Sequence, residues 1–200
     1  DKIIVCKDLL QEDGVVPEMG LREWYETYLH PEKLDTTNQA IWDHLAAGDV
    51  LDVFQFCTGV GLAIAKRLKP QNPLEMTAAN AMMRLMSEKG TESQQDRYAR
   101  IKMQGIEVFE KEMRDYGVPE HMRKILHESC DRYYGCCAIQ EQMMMLLMDC
   151  ANFTLGEANN ARKIVAKKQM DKIPQLREQV LGRFDDNIVG QYFWKIAVEP

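Results

Sequence analysis

The sequence predicts a mainly α-helical protein, with at most a short strand or extended segment near 50–56. Three observations carry that expectation. Apolar residues recur at helical spacing in most windows of the 200-residue chain. Residues that start and stop helices bracket those windows. Only one stretch, "DVLDVFQF", shifts to a pattern that suits a strand or a buried extended segment, through Val50, Val53, Phe54 and Phe56. A hydrophobic content of 46% with 28% charged residues is ordinary for a folded soluble chain.

The elements follow in order. "KIIVCKDLLQEDG" sets Ile3, Ile4, Leu9 and Leu10 near one stripe and stops at Gly14, and "GLREWYETYL" continues after a proline-containing turn. "DTTNQAIWDHLAAGD" offers a Thr cap, apolar Ile41, Trp42 and Leu45, and Gly48 as its stop. After the strand-like stretch, "GVGLAIAKRLK" is closed by Pro70. "NPLEMTAANAMMRLM" then opens with Asn72 as cap and Pro73 at the first helical position. Residues 87–118 read as an insertion-like segment, with a polar, mobile tip "SEKGTESQQ" and one long polar helix up to Gly117. A helix opened by Pro119, the helix "AIQEQMMMLLMDCA", a basic helix, "MDKIPQLREQVLGRF" and "DNIVGQYFWKIAV" complete about ten helices, expected to share one core with an extended arm.

No apolar run approaches the roughly 20 residues that span a bilayer, so no membrane role is expected. The first residues begin mid-pattern, without an initiator Met or a signal sequence, and read as the start of a segment from a longer protein. Six cysteines, two of them adjacent at Cys136 and Cys137, form no spaced disulfide framework. Reduced thiols, a cytoplasmic setting and a monomeric segment are the expectation.

Charge is unevenly spread. The net charge is -6, yet residues 1–60 hold twelve acidic and four basic side chains, while residues 162–183 hold seven basic and two acidic ones. Such a chain offers only a local positive surface, suited to a few phosphates. Thr154 and Glu157 form T-x-x-E, a capping box, so the basic helix should begin at Leu155. At ~100° per residue, Ala158, Ala161, Ile164 and Val165 gather on one side, and Asn159, Arg162, Lys163 and Lys167 fill an arc of roughly 140° on the other. Lys163 and Lys167, four apart, should stack on adjacent turns. Arg162 offers a planar fork and the lysines offer point charges, both suited to phosphate oxygens. The plain alternative is a solvated basic face.

Four stretches in order carry a family resemblance: "GDVLDVFQF", "LKPQNPLEMTAANAMMR", "YYGCCAIQEQMMMLLMDCANFTLGEANNARKIVAKK" and "NIVGQYFWKIAVEP". From about Asp35 to Pro200, and more loosely from Asp1, the chain resembles the fingers region of the catalytic alpha subunit of bacterial DNA polymerase III, the C-family replicative polymerases. That resemblance implies a multi-helix fingers domain, with residues 1–58 as a base next to the palm and 59–200 as the fingers proper. It also implies a part of a DNA-templated DNA polymerase that binds an incoming deoxynucleoside triphosphate and helps hold template DNA. Arg162, Lys163, Lys167 and Lys168 match the family's basic motif and are the implied nucleotide-binding residues. Arg84, Gln140, Lys172 and Arg177 are further candidates for nucleotide or DNA contact, and Arg183 for template phosphates. The implied cofactor is Mg²⁺, held by palm aspartates outside this segment, so the segment alone is expected to be inactive. Primer-template DNA, a sliding clamp and other replisome proteins are the implied partners of the full-length chain.

The sequence departs from the family in places. Its Arg-Pro-Gly-Pro is "RLMSEKG" here, keeping only Arg84; a Glu-Ser is "CT"; the basic pair is Arg162-Lys163; and an expected Gly is Ala166. These mark a divergent lineage of phage or plasmid type. The competing reading is a non-enzymatic helical module that docks an acidic partner or nucleotide on its basic face.

Other residues have structural readings. Asp49 and Asp52 are read as strand-edge acids, and Asp1 lies at the wrong place for a palm aspartate. Met143, Met144, Met145 and Met148 are read as core packing. Gln140 and Glu141 suit a polar network. His121, His127, Cys130, Cys136 and Cys137 match no common zinc spacing. Tyr133 and Tyr134, beside Arg132, either close the core or stack on a base.

Overall fold

The computed structural model describes residues 2–51, 53–83 and 92–198. The chain divides into two compact units, residues 1–41 and 42–200. The described residues form twelve α-helices, with a π-helical turn and a 3₁₀ turn and no strand.

In the first unit, α1 (Lys2–Glu12) is followed by α2 (Leu21–Trp24), which runs into the π turn Tyr25–Leu29. Gln11 fastens the loop between the helices by donating from Nε2 to the carbonyls of Pro17 at 2.9 Å and Met19 at 3.3 Å. The apolar stripe expected on α1 is not a buried face: no residue of α1 is buried, and Ile3, Ile4 and Leu9 are exposed.

The next helix, α3 (Gln39–Ala47), is capped by Asn38, whose Oδ1 accepts the Ala40 N–H at 3.1 Å. The expected threonine cap is otherwise engaged, since the Thr37 N–H and hydroxyl both donate to Asp35. Gly48 ends the helix at φ 98°. In the strand-like stretch that follows, Leu51 and residues 54–57 form turns, with Gln55 at φ 66°. Phe56 is buried while Phe54 is 84% exposed, so the aromatic residues do not line a strand face. The turn sits directly on α4 (Gly59–Leu68): Thr58 Oγ1 accepts the Gly61 N–H and donates to the Gln55 carbonyl, both at 3.0 Å. A Cβ on Gly61 would lie 2.4 Å from the Gln55 carbonyl oxygen and 2.5 Å from Phe56 Cα, so only glycine permits this approach.

Asn72 and Pro73 open α5 (Pro73–Met82) as the sequence predicts, with Asn72 Oδ1 accepting the Glu75 N–H at 2.9 Å. Residues 87–91 of the expected polar tip, and Arg84, lie outside the described residues. The single long polar helix expected after the tip is two helices, α6 (Gln94–Gln104) and α7 (Glu107–Asp115). Gly105 separates them at φ 97° and ψ 156°, a conformation closed to residues with a side chain. The remaining helices are α8 (Glu120–Cys130), α9 (Gln140–Ala151), α10 (Leu155–Ala166), α11 (Ile173–Leu181) and α12 (Asn187–Ala197).

Within residues 42–200 the described residues form two apolar clusters rather than one core. The smaller joins α3, α4, α5 and the 133–138 loop through residues such as Trp42, Phe56, Leu68 and Met82. The larger joins α7 to α12 through residues such as Phe109, Leu126, Leu146 and Phe193. The helix α6 serves both, sending Tyr98 to the first and Ile101 to the second. Tyr133 is buried, and Tyr134 meets Tyr98 edge-on at 4.9 Å and donates its hydroxyl to Glu75 at 2.7 Å. These tyrosines close the core. Of the methionines on α9, Met143 is buried, but Met145 and Met148 are exposed, because the helix has one face on the larger cluster and one toward solvent.

Arg97 of α6 is 1% exposed. Its Nη1 pairs with Glu112 of α7 at 2.6 Å, its Nε donates to the Gly135 carbonyl at 3.1 Å, and its guanidinium lies 5.5 Å from the Phe109 ring centroid. Glu112 also accepts from Arg100 at 2.6 Å, and Arg100 grips Glu92 with two bonds of 2.6 and 2.9 Å.

Two outcomes follow for stability. Gly61→Ala should lower the unfolding free energy by about 1–3 kcal/mol in chemical denaturation, through overpacking against the 55–56 backbone. Glu112→Gln should cost about 3–5 kcal/mol, because it leaves the buried Arg97 charge uncompensated. A denaturation midpoint equal to that of the parent protein would refute either assignment.

Candidate nucleotide-phosphate site

The basic helix begins where its capping box places it. Thr154 Oγ1 accepts the Glu157 N–H at 3.3 Å, and Glu157 Oε2 accepts the Thr154 N–H at 2.7 Å. Glu157 is held below the usual carboxylate range by the Thr154 N–H first, then by the Thr154 hydroxyl, with Arg183 adding to both. Ala158, Ala161 and Ile164 are buried in the larger cluster, with Val165 packed against it. The apolar side predicted from periodicity is therefore the buried one.

The helices α9 and α10 form a hairpin through Asn152, Phe153 and Thr154. Asn152 turns the chain at φ 52°, and Phe153 is buried with its N–H on the Leu147 carbonyl at 3.0 Å. The fold-back brings the start of α9 beside the end of α10, and one contact records this: Arg162 Nη1 donates to Gln140 Oε1 at 3.1 Å. From its own helix, Asn159 Oδ1 accepts from Arg162 Nε at 3.2 Å and Nη2 at 3.0 Å. A guanidinium carries only donors, so the amide oxygens, not the nitrogens, face it.

Lys163, Lys167 and Lys168 are exposed. The helix ends at Ala166 with Lys167 as its C-cap, and the Lys167 N–H still donates to the Lys163 carbonyl at 3.1 Å, so Lys167 follows Lys163 by one turn. Lys168 takes a left-handed conformation at φ 51°. Its N–H donates to the Val165 carbonyl and that of Gln169 to the Ile164 carbonyl, both at 3.0 Å. This is the Schellman closure, with lysine at the position that usually holds glycine. Lys172 and Arg177 are exposed at the start and on the surface of α11.

Among the described residues, no carboxylate pairs with Arg162, Lys163, Lys167, Lys168, Lys172 or Arg177. Arg183 differs: it pairs with Glu157 at 2.7 Å and lies 5.2 Å from the Phe153 ring centroid, so it braces α11 against the start of α10. Part of the positive charge is balanced by the negative end of the α10 dipole, worth about 0.3–1 kcal/mol per cation. Like charges so close together also repel one another. Periodicity located the cationic arc but not the grip on Arg162, for which the i,i+3 spacing of Asn159 was the available signal.

A separate open cleft of about 830 Å³ lies between α7 and α8. Its Arg114, Arg123 and Lys124 face Glu110, Glu120 and Glu128, so it has no excess of one charge. His127 sits there between Glu110, 2.9 Å from Nε2, and Asp131, 2.7 Å from Nδ1. Burial alone would depress its pKa, but the bonds to the two carboxylates outweigh burial and raise it. Of the other residues with zinc-type chemistry, Cys130 and Cys136 are buried thiols that burial pushes up to about 12. Asp49, read from sequence as a strand-edge acid, contacts His44 Nδ1 at 2.8 Å beside a turn, and Asp1 and Asp52 lie outside the described residues.

A family model described as the bacterial DNA polymerase III alpha subunit finger domain matches residues 19–187. A probable DNA polymerase, YorL, of Bacillus subtilis is 33% identical over 204 residues, covering 98% of this chain and 15% of that protein. A DNA-directed DNA polymerase of Bacillus phage SPbeta is similar to the same extent. A DNA polymerase III subunit alpha of Deinococcus radiodurans is 28% identical over 175 residues, covering 86% of this chain and 12% of that protein. The chain thus spans about 15% or less of the length of these relatives.

The raised pKa of His127 sets a pH dependence. Its stabilising contribution is fully present below the unfolded value of about 6.5 and is lost as pH rises through the higher folded value. His127→Gln should therefore unfold at lower denaturant than the parent protein near pH 5.5, with the gap closing as the pH rises through the higher folded value. A gap independent of pH would contradict this.

Proposed function

The chain belongs to the family of bacterial DNA polymerase III alpha subunit finger domains, and from that premise we propose that its cationic helix grips the triphosphate of an incoming deoxynucleotide in a DNA-templated DNA polymerase. The observation that carries this reading is the set of cations on and after α10 with no carboxylate partner among the described residues. Arg162 and Lys163 are the primary contacts in this proposal, and Lys167 and Lys168 the supporting ones. Lys172 and Arg177, exposed beyond the helix, would meet template phosphates, a contact weakened by salt.

Such a site contributes in two ways. Fixed cations orient the triphosphate relative to a primer terminus, which removes rotational freedom before reaction. They also stabilise the charge that accumulates on the departing pyrophosphate, most strongly once water is excluded. Mg²⁺, held by carboxylates outside this segment, would supply Lewis acidity and activation of the primer hydroxyl. Among the described residues, no group of three or more His, Cys, Asp or Glu side chains is arranged to hold a metal ion, so no residue here is assigned to Mg²⁺. On this proposal the segment alone does not polymerise, and contacts with a sliding clamp or other replisome proteins belong to the full polypeptide.

In the full polypeptide, Arg162→Ala and Lys163→Ala should each raise KM for deoxynucleotides and lower kcat, with kcat/KM falling about 10- to 100-fold. Unchanged steady-state constants would remove these residues from the site.

A further inference from the structure

We propose that Asn159 and Gln140 are positioning residues for Arg162, a neutral amide clamp that aims its guanidinium at the triphosphate without cancelling its charge. The inference rests on the triphosphate reading of α10 given above. A guanidinium has five N–H donors. Three are engaged, two by Asn159 Oδ1 at 3.2 and 3.0 Å and one by Gln140 Oε1 at 3.1 Å. The remaining two have no acceptor among the described residues. The clamp reaches from two helices: Asn159 lies one turn before Arg162 on α10, and Gln140 is the first residue of α9.

The chemistry of the clamp is what distinguishes it. Among the described residues, the other buried or half-buried arginines are held by carboxylates, Arg97 by Glu112, Arg100 by Glu92 and Arg123 by Glu110. A carboxylate at residue 159 would orient Arg162 equally well but would offset its positive charge and weaken its pull on an anion. An amide oxygen restrains the long side chain, lowering the entropy lost on binding, and leaves the charge for the ligand. Asn159 and Gln140 need not touch the substrate; they act through Arg162.

The test uses the full polypeptide and compares Asn159→Asp, Asn159→Ala, Gln140→Ala, Arg162→Ala and the double variant Arg162→Ala with Asn159→Asp. Steady-state KM and kcat for deoxynucleotides, primer-template Kd and Tm are measured for each. Asn159→Asp keeps shape and acceptor oxygen, so Tm and primer-template Kd should be unchanged while KM rises about tenfold. Asn159→Ala and Gln140→Ala, which loosen the clamp but keep the charge, should raise KM about two- to fivefold. In the Arg162→Ala background the Asn159→Asp effect should fall below about twofold, since the residue it acts through is gone. A parental KM for Asn159→Asp, or its full effect persisting without Arg162, overturns the clamp while leaving the triphosphate site standing. A parental KM for Arg162→Ala itself overturns both.

Discussion

The packing of residues 42–200 depends on one buried charge. Arg97 sits on α6, the helix that serves both apolar clusters, and bonds outward in two directions: to Glu112 of α7, beside the larger cluster, and to the carbonyl of Gly135, in the loop that lines the smaller one. Taking a guanidinium out of water costs several kcal/mol unless its partners are well placed. Glu112, itself braced by Arg100, supplies that partner. The ion pair therefore reports on the relation between α6 and α7 more than it adds to net stability. It is made possible by Gly105, whose backbone turn lets two helices face one another where an uninterrupted helix would have kept Arg97 and Glu112 far apart.

Local signals made much of the helical content legible. The caps at Asn72 and Thr154 and the proline at the start of α5 rest on interactions within four residues, and the apolar side of α10 on helical spacing, both of which a sequence displays directly. The departures have different causes. Phe54 and Phe56 look equally suited to a strand, but with no second strand to pair with among the described residues, the segment folds as turns against Gly61. Arg97, in a window that reads as polar throughout, is buried because α7 folds back upon it. Met145 and Met148 are exposed because the hairpin of α9 and α10 leaves α9 one open side. The last two depend on neighbouring helices beyond the residue's own.

The cationic strip was legible as composition but not as geometry. Seven basic residues in a short span read as one positive surface, yet Arg183 is bonded to Glu157 and is not an equal member of it. That pair braces α11 against the start of α10, while the other end of α10 carries cations with no carboxylate partner among the described residues. One end of the helix is thus built for structure and the other presents charge. The acidic excess of the chain lies elsewhere in sequence, within the first 60 residues.

Lys168 occupies a left-handed backbone site where a Cβ costs roughly 1–2 kcal/mol relative to glycine. Glycine there would make a firmer helix end and remove a cation in the same step. A search for heat-resistant variants would favour that exchange, and would trade away surface potential without any visible change in architecture. Robustness and polarity thus pull in opposite directions at a single residue of this turn.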